Sequence, residues 1–131
     1  LSREDKMNWK SLSFAAAAFV ALGMPAWAHH SHANYNLDEF TILSGTVTEV
    51  AWTNPHVWLY MEVDDDEGGS QVWAFEGGSV AALTRGGWQR DSLKQGDNVS
   101  VRCYLVRDGS TGCLMGFVTS INGTAMDKEF D

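Results

Sequence analysis

The chain has 131 residues, of which 44% are hydrophobic and 20% charged, and this composition is typical of one globular domain. Its 17 acidic residues outnumber its 9 lysines and arginines, so the formal net charge is -8. A surface this acidic repels a phosphate backbone, and we therefore expect no nucleic acid among its partners.

The first segment of the chain predicts export. Residues 7–10 bear a positive charge, residues 12–22 are apolar, and Ala26-Trp27-Ala28 has the small-x-small form of a cleavage site. This is the pattern of a secretory signal peptide over residues 7–28. About eleven apolar residues are too few to cross a hydrocarbon core about 30 Å thick. We expect residues 1–28 to be removed, leaving a periplasmic or secreted protein without a stable membrane span.

Residues 29–40 (HHSHANYNLDEF) show neither strand nor helix period and predict a polar arm before the fold. Cleavage would make His29 the N-terminus, where its α-amine and ring nitrogen can bind one copper or zinc ion. His30 or His32 would assist, and His56, the remaining histidine of the chain, is the candidate for a further nitrogen ligand. The alternative is that these histidines are incidental residues of a solvated arm.

Three strands are predicted next. Residues 41–53 form a long strand whose Gly45 predicts a bend or bulge, and Asn54-Pro55 ends it. Residues 56–63 alternate strictly, which predicts a half-buried strand. An acidic turn over residues 64–69 leads to a third strand over residues 70–76. The predicted core face of the second strand consists of Val57, Leu59, Met61 and Val63.

The second half predicts a short helix and two more strands. Ser79 can cap a helix that Gly86-Gly87 ends, and strands follow over residues 98–107 and 113–121. Their predicted core residues are Val99, Val101, Cys103, Leu105, Cys113, Met115, Phe117 and Ile121. Residues 122–131 predict a flexible acidic tail.

The order of these elements predicts the fold class. Three strands, a short helix and two strands over residues 41–121 are the order of an all-β, five-stranded barrel of the oligonucleotide/oligosaccharide-binding (OB) type. The rival is an open antiparallel sandwich, which has no use for a helix between the third and fourth strands.

The two cysteines predict a disulfide. A turn near Asp108 would place Cys103 opposite Cys113, and an oxidising compartment favours their bridging. Closing a loop of about eleven residues would stabilise the fold by roughly 3 kcal/mol. The alternative is a pair of buried free thiols.

An unusual cluster of side chains surrounds the Pro turn: Trp52, Asn54, His56, Trp58 and Tyr60. Because His56, Trp58 and Tyr60 lie opposite the predicted core face, the aromatic rings can stack on a small ligand or a protein partner. Alternatively, the arm or the helix covers this face, and His56 serves as a hydrogen-bonding turn residue. Glu76-Gly77-Gly78-Ser79 can hold an anion at the helix start, or its glycines serve backbone geometry alone.

The segment from Gly45 to His56 (GTVTEVAWTNPH), with residues 73–76, 87–88 and 93–97, resembles a family of small exported proteobacterial proteins of unknown function. The similarity includes the start His29-His30-Ser31 and extends over nearly all of residues 29–121, whereas His32 and the cysteines lie outside the family pattern. Its specific part is the Trp-x-Asn-Pro-His segment. The resemblance implies secretion and a small β-fold, and it implies no activity.

The residues favour a binding or accessory domain over an enzyme. Paired carboxylates, a nucleophile elbow and a phosphate loop are all missing from the sequence. The leading hypothesis is copper or zinc binding through the mature N-terminus. The competing hypothesis is a metal-free interaction module that uses Trp52, Trp58 and Tyr60.

Overall fold

The computed structural model describes residues 32–131. Its elements are a 3-10 turn at His32–Asn34, β1 (Thr41–Ala51), β2 (Trp58–Asp64), β3 (Ser70–Glu76), α1 (Val80–Arg85), β4 (Asn98–Leu105), β5 (Gly112–Ile121) and β6 (Thr124–Glu129). The leader prediction and residues 29–31 lie outside this range. In the described part of the chain, no helix is long and apolar enough to span a bilayer.

Strands β1 to β5 close a barrel, which confirms the predicted fold class. The strand order is β3-β2-β1-β4-β5-β6, and β3 also pairs in parallel with β5, so that the sheet closes on itself. One end of β1 pairs with β4 and the other with β2, and a bulge lies between Val47 and Glu49. Gly45 lies next to the point where the partner of β1 changes from β4 to β2. A glycine is needed there because a Cβ would lie 2.5 Å from the carbonyl oxygen of Glu62.

The predicted core face of β2 is confirmed, since Val57, Leu59 and Met61 are fully buried. The core faces of β4 and β5 differ in part from the prediction. Leu105 is 39% exposed, and Val118 replaces Phe117 in the core. Register shifts within the β4–β5 pair cause the difference on β5, because each leaves an extra residue on that strand and moves the following side chains to the other face. Leu105 is the last residue of β4.

The disulfide between Cys103 and Cys113 is present, as predicted, and the two Cα atoms are 5.7 Å apart. The two residues are not direct cross-strand partners, however. Cys103 pairs with Met115 and Cys113 pairs with Leu105, so the bridge joins diagonal neighbours of the β4–β5 ladder. Both cysteines are fully buried and belong to the core of the barrel.

The last ten residues correct the prediction of a flexible tail. Asn122 and Gly123 both have positive φ and form a tight turn, after which β6 pairs antiparallel with β5. Phe130 is then buried in the core, where its ring packs edge-on against the Trp88 ring with the two ring centroids 4.9 Å apart. The Trp88 indole N–H also donates to the carbonyl of Glu129 at 2.6 Å.

The described part of the arm is docked on the barrel rather than free. Tyr35 is buried and forms an isolated β-bridge with Val106. The Arg107 backbone N–H donates to the Asn34 carbonyl at 2.8 Å, and the Arg107 Nε–H donates to the Tyr35 carbonyl at 3.0 Å. These hydrogen bonds place the arm beside the end of β4 and extend the fold upstream of Thr41.

Candidate functional site

The loop between β1 and β2 is held against the end of β3 and the start of α1. Asn54 Oδ1 accepts the first backbone N–H of the helix, from Val80, at 3.0 Å. The Val57 backbone donates to the Gly78 carbonyl and accepts from the Gly77 N–H, both at 2.8 Å. The Trp-Thr-Asn-Pro-His segment therefore forms a corner that is fixed by hydrogen bonds and contains His56. We call it the corner.

A buried carboxylate lies at this corner. Glu76 is 5% exposed and is the final residue of β3. Its Oε2 accepts a hydrogen bond of 2.5 Å from the Tyr35 hydroxyl, and its Oε1 lies 3.4 Å from His56 Nε2. Each carboxylate oxygen thus has a polar partner, as a buried charged group requires.

The Tyr35 hydroxyl is held in its protonated form. Burial of the ring, together with the hydrogen bond to Glu76 and the negative charge of that carboxylate, raises the pKa of Tyr35 well above its usual value. Tyr35 therefore stays a hydrogen-bond donor to Glu76 at neutral and mildly alkaline pH.

Both ring nitrogens of His56 face protein oxygens. Nδ1 lies 3.0 Å from the Gly77 carbonyl, which can only accept, so Nδ1 carries a proton and donates. Nε2 lies 3.4 Å from Oε1 of Glu76. His56 is about one-third exposed at its side chain, which places this pair at the edge of the surface.

The outer surface of β1, β2 and β3 adjoins this corner. Cross-strand pairing arranges its side chains in rows, with Trp58 and Tyr60 in the middle strand. Their rings are stacked, with centroids 6.5 Å apart and planes at 23°, and both are partly exposed. We call this surface the aromatic face. It consists of Thr46, Glu49, Ala51, Trp58, Tyr60, Glu62, Val72, Ala74 and Glu76.

The structure brings some of the predicted site residues together and separates others. Trp58, Tyr60 and His56 lie together, whereas Trp52 packs against the barrel core and does not extend the aromatic face. Asn54 holds the helix through its side chain. The arm reaches the Glu76 end of the surface through Tyr35, whereas Trp58 and Tyr60 stay partly exposed, so ligand stacking on these rings stays a prediction.

Gly77 and Gly78 serve backbone geometry. A Cβ on Gly77 would lie 2.8 Å from the Phe130 ring, and the Gly78 N–H donates to the Phe130 carbonyl at 3.0 Å. The helix that follows is only Val80–Arg85. A Cβ on Gly78 would lie 2.6 Å from the backbone carbonyl carbon of Asp131, so the close approach of residues 130–131 accounts for both glycines.

The metal prediction rests mainly on residues outside the described range. His29 and His30 precede it, and His32 is exposed in the first turn of the described chain. Within residues 32–131, no group of three His, Cys, Asp or Glu side chains is placed to hold a metal ion. His56 contacts Gly77 and Glu76 instead. Copper or zinc binding at the mature N-terminus stays a prediction.

A comparison with protein-family models gives the chain a family. The model described as "Family of unknown function (DUF6152)" matches residues 17–115. The chain belongs to this family. The DUF6152 match includes the whole corner from Trp52 to Val80 and the docked part of the arm, and it ends within β5. Comparisons with the curated proteins and with the solved structures found no match.

The sequence patterns did not identify Glu76 as the partner of His56, nor Tyr35 as the partner of Glu76. Tyr35 is an aromatic residue within a polar arm, which is a weak signal for docking. Glu76 lies in register with Trp58 on the solvent-facing side of a strand, where a carboxylate is ordinary. Only the return of the arm over this position makes the carboxylate buried.

Proposed function

We propose that this DUF6152 chain is an exported binding domain, which presents the aromatic face to a partner and catalyses no reaction itself. Export rests on the leader pattern of residues 7–28. The main support for a binding role is the stacked, partly exposed Trp58–Tyr60 pair, which lies on the strand that follows the corner. In barrels of the OB type, the β2–β3 surface and the adjoining loops are the usual ligand site.

The surroundings of the pair support a binding role. The hydrogen bonds of Asn54, Val57 and His56 fix the corner beside Trp58, so little conformational freedom is lost when a ligand binds. Large aromatic side chains on a rigid sheet supply most of the binding energy in many interfaces. Partly exposed tryptophan and tyrosine on one side of a small barrel are well suited to such contact.

Photo-cross-linking in the organism that encodes the chain tests this proposal. A benzoylphenylalanine residue replaces Tyr60 in one variant and Phe40, which is 55% exposed and lies outside the aromatic face, in the control. We expect a defined adduct from position 60 that is lost when Trp58→Ala is added. Adducts from both positions alike, or none from position 60, would contradict the proposal.

A further inference from the structure

We propose that the aromatic face binds an arginine-bearing segment of a partner protein. This inference rests on the proposed function and deepens it, because it names the chemistry of the occupant. Three observations support it: the negative charge of the face, the lack of a cation over Trp58 and Tyr60 among the described residues, and the outward position of these two rings. The geometry of a guanidinium then favours arginine over lysine.

The aromatic face is negatively charged and bears no lysine or arginine at any of its positions. Glu49 is the direct cross-strand neighbour of Tyr60, and Glu62 follows Tyr60 on the same side of β2. The Glu62 side chain accepts from the Ser70 hydroxyl. Within residues 32–131, neither Glu49 nor Glu62 forms an ion pair, so both carboxylates are available to a cation from outside.

Three other aromatic rings of the described chain have a cation of the protein over them. The Arg102 guanidinium lies 4.3 Å from the centre of the Phe117 ring and 5.6 Å from that of Phe40. The Lys128 ammonium lies 4.3 Å from the Trp88 ring. Among the described residues, no such cation covers Trp58 or Tyr60, although tryptophan binds cations best of the aromatic residues.

The shape of the face favours a protein segment over a small molecule. Small-molecule sites are concave, whereas Trp58 and Tyr60 stand on the outer surface of a sheet with Ala51 and Ala74 beside them. Of three cavities in the described chain, one reaches Thr46 and Glu62 at the edge of the face, and none of the three is lined by Trp58 or Tyr60.

Among cationic side chains, arginine fits the face best. A guanidinium is planar, stacks on aromatic rings and still donates in its own plane to carboxylates. On the aromatic face it would lie against Trp58 or Tyr60 while its N–H groups reach Glu49 or Glu62. A lysine ammonium would gain the charge interaction without the stacking.

Binding of matched peptides tests the inference. The purified, isotope-labelled protein is titrated with a peptide of sequence Gly-Arg-Gly-Arg-Gly, blocked at both ends, and with its citrulline analogue, which keeps the shape and loses the charge. We expect the arginine peptide to shift the Trp58 indole and Tyr60 amide resonances and to bind about fivefold or more tightly than the analogue. Trp58→Leu should abolish the difference.

A charge-matched pair of variants separates the site from general acidity. Glu49→Gln with Glu62→Gln should weaken arginine binding, whereas Asp66→Asn with Glu67→Gln removes as much charge from the exposed β2–β3 turn and should not. Asp65 is left intact because its carboxylate accepts the Glu67 and Gly69 backbone N–H groups. Unchanged thermal midpoints would show that all variants are folded.

Several results would overturn the inference. Equal binding of the citrulline peptide, or no shift with either peptide, would exclude arginine as the ligand, and an adduct at position 60 would then still support the proposed function. Equal loss of binding in both charge variants would show that the peptide responds to the overall negative charge of the protein and not to the aromatic face. Equally tight binding of tetramethylammonium would assign the face to a small cation instead of a protein segment.

Discussion

The Tyr35 hydroxyl donates a hydrogen bond of 2.5 Å to the Glu76 carboxylate and joins the arm to the end of β3 across 41 sequence positions. The opposite oxygen of the same carboxylate faces His56. One buried carboxylate at the end of β3 therefore contacts both the arm and the corner beside the aromatic face. The stability of this contact can be measured directly.

Tyr35→Phe should lower the free energy of unfolding by about 2 kcal/mol, because it removes a hydrogen bond to a buried charged group and leaves an oxygen of Glu76 without a donor. Urea denaturation would measure the change. Tyr104→Phe, which makes the same chemical change on a half-buried residue of β4, is the control and should have a smaller effect. Equal effects of the two substitutions would contradict the role given to Tyr35.

The same contact predicts a loss of stability at alkaline pH. Unfolded tyrosine releases its proton near pH 10, whereas folding raises the pKa of Tyr35, so the folded state keeps its proton to higher pH. The contribution is complete below about pH 10 and is lost as the pH rises above it. The stability difference between the protein and Tyr35→Phe should thus be constant below about pH 10 and shrink progressively as the pH rises above it. A difference that stays constant above this pH as well would refute this prediction.

Gly77→Ala should destabilise the fold by about 1–3 kcal/mol, because its new Cβ would overlap the Phe130 ring in a filled part of the core. Gly86→Ala is the matched control. Its Cβ would have no neighbour closer than 3.4 Å, and its backbone is right-handed helical, so its effect should be within about 0.5 kcal/mol of zero. The thermal unfolding midpoints of the two variants would measure this difference in stability. Similar midpoints would show that the Phe130 ring moves aside to make room for the new Cβ.

Replacing Cys103 and Cys113 together by alanine should cost roughly 3 kcal/mol, since the bridge closes a loop with a sequence separation of 10. Reductant should lower the thermal midpoint of the natural protein and leave that of the double variant unchanged. Two free thiols in unfolded, unreduced protein would show that the bridge does not form in solution.

His56→Gln should leave any copper or zinc content of the protein unchanged, because both ring nitrogens of His56 face protein oxygens. Metal analysis after desalting would measure this on protein secreted with its authentic N-terminus. An extra residue placed before His29 should lower the content if the α-amine is a ligand. Loss of metal on His56→Gln would place this histidine in the site.

Part of the fold follows from local patterns. The strict alternation of residues 57–63 identified the buried side of β2, and Ser79 was the expected helix cap, which accepts from the Ala82 N–H. The Asn122-Gly123 pair is a strong hairpin signal. After it, the more buried residues Met126, Lys128 and Phe130 alternate with the exposed residues Asp127 and Glu129. The information for β6 was thus present in the chain, although its polar composition predicted a tail.

The sequence by itself determined the order of the first five strands and the helix, the apolar side of β2 and the pairing of the only two cysteines. These properties depend on neighbours along the chain, where turn chemistry and side-chain alternation act. Only the tertiary structure decided that Tyr35 covers Glu76, that Val118 replaces Phe117 in the core and that Trp52 leaves the aromatic face. Those outcomes depend on strand register and barrel closure, because a shift of one residue exchanges the two sides of a strand.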